Sequence, residues 1–162
     1  MESSTTKKVL VRRFDRESIP GFVNPHAYLD AEGIELLLVS GIMQRIPYGE
    51  IKNVAFVKDF DPPKGHAEQK AFQSRPKIEG LWVAMQFRDG DRYEALLPND
   101  LAGLEDTGFT VTPPNSTGNI QRMFVPKAAL DGMTVLAVVG ARSARKRTEP
   151  KKDQIELFGE NE

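Results

Sequence analysis

Few side chains in this 162-residue sequence are of the kind that make or break bonds. The two histidines, His26 and His66, stand beside proline or glycine in stretches that read as loops. Asp30 lies near His26, and Asp61 and Glu68 lie near His66, but neither spacing fits a set of metal ligands or a base with its orienting partner. Solvent-exposed loop histidines are the expectation. Asp89, Asp91, Glu105 and Asp106 would act as an acid and a base only if their surroundings drove their pKa values apart. Beside Gly90 and Gly108, an aspartate is expected instead to bond the backbone of a turn. A nucleophile elbow, a phosphate-binding glycine loop, a dinucleotide-binding glycine pattern and a zinc-binding His-Glu-x-x-His helix are all missing. The expectation is a non-enzymatic protein with no catalytic residue, metal or cofactor.

Binding chemistry is better represented. Arg142, Arg145, Lys146, Arg147, Lys151 and Lys152 form a basic run without interleaved aromatics. Such a run can contact phosphates with salt-dependent affinity, or it can simply keep a linker solvated. Beyond it, a polar tail carries Gln154-Ile155-Glu156-Leu157-Phe158, whose apolar residues have no core of their own to join. This pattern resembles the peptide by which bacterial replication and repair proteins hold the DNA sliding clamp. With Ile155 as the aliphatic position of the motif, the resemblance implies that Leu157 and Phe158 fill an apolar pocket, that Gln154 bonds at its rim, and that the basic run lies near clamped DNA. The same residues could instead fold back as an edge strand. A second cationic pattern, Arg12-x-x-x-Arg16, is similar to the arginine pair with which PilZ domains hold a cyclic dinucleotide, since guanidinium forks match phosphate oxygens. Val39-Ser40-Gly41 does not satisfy the second motif of those domains.

The elements that must carry these residues are centred on Leu81 to Asp100. Trp82, Ala84 and Gln86 alternate with Val83, Met85 and Phe87, a period of two that fits a strand with one buried face. Arg88-Asp89-Gly90-Asp91 supplies a hairpin turn, and Tyr93 to Leu97 returns. Val9 to Asn24 has the same plan, with alternation ending at Phe14, a turn Asp15-Arg16-Glu17-Ser18 and a return Ile19 to Val23. After each hairpin a proline intervenes, Pro25 or Pro98, and a middle strand follows: Ile34 to Val39, expected to be buried on both faces, or Phe109 to Thr112. Arg45-Ile46-Pro47-Tyr48-Gly49-Glu50-Ile51 corresponds to Phe124-Val125-Pro126-Lys127-Ala128-Ala129-Leu130. Both predict a helical turn before a closing strand, Asn53 to Val57 or Met133 to Val139. Gly21, Gly33 and Gly41 mark the bends of the first copy. Between the copies, Lys58 to Lys77 is rich in proline and charge, with room for a short helix at Ala67 to Phe72.

Two copies of a five-strand plan indicate duplication. The chain is read as all-β, two tandem small β-barrels of about five strands each with a disordered C-terminal tail. A single sandwich of eight to ten strands is the competing arrangement. The plan resembles Sm-like small barrels, and Ile34 to Val57 resembles the second half of a bacterial Sm-like RNA chaperone. Lys7 to Gly140 is closer to an uncharacterised bacterial family of duplicated small barrels. That likeness rests on Arg13-Phe14-Asp15-Arg16, Gly21-Phe22-Val23-Asn24-Pro25, Phe56-Val57-Lys58-Asp59-Phe60, Ser74-Arg75-Pro76-Lys77, Glu79-Gly80-Leu81-Trp82-Val83 and Phe87-Arg88-Asp89-Gly90-Asp91. The resemblance implies a fold and no known activity, and the loop residues by which Sm proteins contact RNA are not recognisable.

Boundaries follow from these elements: a disordered N-terminus at 1–6, a first barrel at 7–60, a linker at 61–78, a second barrel at 79–140, and the basic tail at 141–162. Net charge is −1, so any attraction to nucleic acid must come from a local patch. No cysteine is present, which excludes disulfides and thiolate zinc sites. No apolar run approaches a membrane span, and Met1 to Lys8 lacks the apolar core of a signal peptide. The expectation is a cytoplasmic adaptor, with the sliding clamp as partner and weak nucleic-acid contact through the basic tail. The alternative is a regulatory barrel module binding RNA or a cyclic dinucleotide, with an inert tail.

Overall fold

The computed structural model describes residues 6–62, 68–100, 102 and 104–140. His66 and the tail with its Gln154–Phe158 peptide and basic run lie outside the described residues. The fold is all-β, as expected. Its strands are β1 (Lys7–Arg13), β2 (Ile19–Val23), β3 (Gly33–Leu38), β4 (Met43–Pro47), β5 (Ile51–Val57), β6 (Gly80–Phe87), β7 (Arg92–Leu97), β8 (Gly108–Val111), β9 (Ile120–Pro126) and β10 (Leu130–Val139). Single 3-10 turns, Tyr48–Glu50 and Lys127–Ala129, precede β5 and β10. No α-helix occurs among the described residues. Glu68 to Phe72 is irregular, so the possible helix there does not form over the part that is described.

One sheet runs β4-β3-β2-β1-β5-β9-β8 and the other β10-β6-β7. A bridge between Leu96 and Thr112, with reciprocal backbone bonds of 2.9 Å, joins β7 to β8. The pairing order β5-β1-β2-β3-β4 therefore recurs as β10-β6-β7-β8-β9. Registers recur as well. Val9 faces Gly21 as Val83 faces Ala95, and Gly33 faces Pro47 as Gly108 faces Pro126. Against β1, Ile51 and Asn53 pair with Arg13 and Arg12, which leaves Lys52 as a bulge. Against β6, Leu130 and Gly132 pair with Phe87 and Gln86, and Asp131 is the bulge.

The halves are joined by antiparallel pairing of β5 with β9, in which Val54 faces Phe124 and Ala55 faces Met123. Because successive side chains of a strand point to opposite faces, this junction serves two cores at once. Val54, Phe56 and Phe124 pack with Val9, Val11, Ile34 and Leu36, whereas Ala55, Val57, Met123 and Val125 pack with Val83, Met85, Phe87 and Tyr93. Here the sequence reading needs correction. β5 is buried on both faces from Asn53 to Val57, as β7 is from Tyr93 to Leu97, while β3 exposes Glu35. An apolar run at Ile34 to Val39 suggested otherwise, but Val39 lies past the strand and is exposed.

Candidate binding cleft

A cleft of about 430 Å³ opens where β1, the segment after β5 and the loop between β8 and β9 meet. Leu10, Ile120 and Pro62 give it apolar wall, and Arg12, Lys58, Asp59, Glu68 and Asn119 give it polar groups. Local pairing ties the wall together. The Asp59 N–H donates to Asn119 Oδ1 at 2.9 Å, and Asn119 Nδ2 donates back to the Asp59 carbonyl at 3.0 Å. The Lys58 N–H reaches the Asn119 carbonyl and its ammonium reaches the Thr117 carbonyl, both at 2.9 Å. That loop is thereby tied to the end of β5.

Arg12 is the most constrained cation of the cleft. Its Nε donates to Asn53 Oδ1 at 2.9 Å, and Nη1 and Nη2 hold the two oxygens of Glu68 at 2.6 and 2.7 Å. Asn53 is 1% exposed, so its amide fixes the guanidinium from inside the protein. The fork presented to Glu68 is the geometry with which arginine receives any planar carboxylate or a phosphate. Arg16, in contrast, stands exposed in the turn between β1 and β2.

A second charged cluster lies at the bulge of β5 and the β6–β7 turn. Lys52, on the bulge of β5, holds Asp89 at 2.8 Å and Asp91 at 2.9 Å, and Lys70 holds Asp91 at 3.0 Å. The Lys52 ammonium also lies 5.2 Å from the Phe87 ring centre. Burial alone would pull Lys52 down, but the two carboxylates outweigh it and hold its pKa above the ordinary value. The Lys52 hydrogen bond lowers Asp89. Burial would raise Asp91, yet Lys52 and Lys70 bring it below the usual range. Glu94 on β7 is likewise opposed by burial and lowered by the Phe72 N–H, the Trp82 indole and Arg92, at 3.0, 3.1 and 3.1 Å. Each of these carboxylates is held ionised, the opposite of what a general acid needs. Burial also raises the phenols of Tyr28 and Tyr48.

His26 is exposed, and its N–H closes a turn on Asn24 Oδ1. Asp89 closes the β6–β7 turn through the Asp91 N–H, as expected, while Glu105 and Asp106 are exposed. Among the described residues no three His, Asp or Glu side chains gather as a metal site. Asn53, Lys52 and Glu94 were not singled out in the sequence. Their signal was partial: Asn53 and Glu94 are polar residues next to the apolar runs of β5 and β7, where a buried polar group needs partners.

Fold and cleft together define an all-β protein with a groove of mixed apolar and polar lining and with structural ion pairs. By the family profile that it matches over residues 5–137, the chain belongs to DUF6982, a family of unknown function. No curated protein and no solved structure matches it.

Proposed function

We propose that this chain is a non-enzymatic cytoplasmic adaptor, built from two copies of one Sm-like five-stranded barrel and recruited to the bacterial DNA sliding clamp through its C-terminal peptide. The recurrence of strand order, register, bulge and glycine–proline contact supports the duplication. The peptide Gln154-Ile155-Glu156-Leu157-Phe158 carries the recruitment: three apolar side chains follow a basic run, in a pattern that suits an extended anchor. Arg142, Arg145, Lys146 and Arg147 then lie close to DNA inside the clamp. The test is equilibrium binding of the full chain to a bacterial sliding clamp, beside a Leu157→Ala/Phe158→Ala variant. Micromolar binding lost in the variant supports the reading, and no binding by the wild type overturns it.

The cleft favours a second reading, in which the barrels regulate by holding an anionic ligand such as RNA or a cyclic dinucleotide at Arg12 and Lys58. Glu68 then occupies the fork that the ligand would take. Removal of residues 148–162 abolishes the first activity and spares the second.

A further inference from the structure

Pairing of β5 with β9 leaves two strands, β4 and β10, with one edge unpaired among the described residues. These are the equivalents of the two that join. β4 occupies in the first half the place of β9, and β10 occupies in the second half the place of β5. Unpaired edges are normally short, charged or covered, because they template further pairing. Here both edges carry exposed apolar side chains, on β4 beside the exposed Gln44 and Arg45. Val39 and Ile42 in the turn before β4 and Met43 at its start are 62%, 62% and 61% exposed, and Val135 and Val138 on β10 are 55% and 50% exposed. Among the described residues Ile78 and Leu136 are the other large exposed hydrophobics, and Leu136 is also on β10. Apolar surface of this kind gathered at two edges marks an interaction site.

We infer that β10 of one molecule adds to β4 of a second copy, head to tail, in the geometry of the internal β5–β9 junction. The internal junction supplies the register. Pro47 corresponds to Pro126 and Ile51 to Leu130, each ending and starting the same turn. Val54 facing Phe124 then becomes Met133 facing Arg45, Ala55 facing Met123 becomes Thr134 facing Gln44, and Phe56 facing Arg122 becomes Val135 facing Met43. Val135 and Met43, both exposed in the single chain, cover one another. The contact uses a different surface on each partner, so it either closes a ring or propagates.

Sedimentation velocity of the full chain at micromolar concentration tests the inference, with Met43→Lys and Val135→Lys as edge variants. Both side chains are exposed, so each variant keeps the fold, which circular dichroism checks. The wild type is expected to sediment as an assembly, and each variant alone as a single 18.1 kDa chain. Mixed in equal amounts, the two variants form a pair and nothing larger, because each retains the edge that the other lacks. The Leu157→Ala/Phe158→Ala variant assembles like the wild type, which separates this inference from the clamp reading. A monomeric wild type overturns it, as does an assembly that either lysine leaves intact. Hydrogen-exchange protection of the outward β10 amides in a monomer would make the chain's own tail the occupant, and equally overturns it.

Discussion

Gly33 and Gly108 hold the same position against a prolyl peptide. Each faces the proline that ends a strand, and a Cβ on either would overlap the preceding carbonyl, that of Ile46 or of Val125. The backbone also bonds alike beside them, the Tyr48 N–H to the Glu32 carbonyl at 3.1 Å and the Lys127 N–H to the Thr107 carbonyl at 2.9 Å. Glycine is demanded by close approach of two backbones, which cannot yield as a side chain does. Gly33→Ala and Gly108→Ala should therefore each destabilise the fold by roughly 1–3 kcal/mol, the usual cost of overpacking. Urea denaturation reads this as a lower midpoint, and an unchanged midpoint in both variants would refute the account.

Acid should weaken the protein through Asp89, Asp91 and Glu94. Their folded pKa values are depressed, so their stabilisation is present above the unfolded values of 3.8 and 4.5 and is lost as pH falls through the folded ones. Lys52 has the opposite sign: its contribution is full below 10.5 and is lost as pH climbs through its raised folded value. Lys52→Met should cost about 1 kcal/mol at neutral pH, the exposure of Asp89 keeping it at the low end. It should also flatten both limbs of the pH–stability curve. An acid limb equally steep in the variant would assign it to other groups.

Glu94 anchors the segment after residue 68 onto β7. It receives the Phe72 N–H and the Trp82 indole, Phe72 stacks edge-on against Trp82 at 6.0 Å, and the Glu94 N–H bonds the Lys70 carbonyl at 2.7 Å. Glu94→Ala would leave two donors without their acceptor, a loss of about 1–3 kcal/mol. Trp82 is the only tryptophan, so its fluorescence reports on this site alone. A red-shifted emission in folded Glu94→Ala is the expected sign, and an emission identical to wild type would show that the segment is held by other means.

Neither half should fold by itself. A fragment of residues 6–62 lacks Phe124 for its own core, and a fragment of residues 79–140 lacks Ala55 and Val57. Each also loses the β5–β9 pairing. Separate fragments should give unfolded amide spectra, and a mixture of the two should recover structure. A cooperative thermal transition in either fragment alone would contradict this.

The order of elements was legible because Asp89-Gly90, Pro47 and Pro126 punctuate the chain with residues of limited conformational choice. All-β character followed from period-two alternation, as in Trp82 to Phe87. What the alternation could not convey was which strand has neighbours on both faces. Ile34 to Val39 and Val54 to Val57 look equally apolar, and only pairing with β9 distinguishes them. The cleft escaped notice for a similar reason. Arg12, Asn53, Glu68 and Asn119 are far apart in sequence and meet through strand register, whereas a pattern search sees neighbours such as Arg12 and Arg16.

The pairing of Val54 with Phe124 has a consequence for how this protein is made. When the ribosome has delivered the first five strands they cannot yet complete their core. Ala55, Val57 and the rest of the β5 segment therefore stay open to solvent while the partner strand is still to be translated. Some seventy residues separate the two partners, so at about 5–20 residues per second the nascent chain must wait several seconds. Through that interval the sticky flank of β5 is available to chaperones, to neighbouring nascent chains on the same messenger, or to premature capture by the wrong strand.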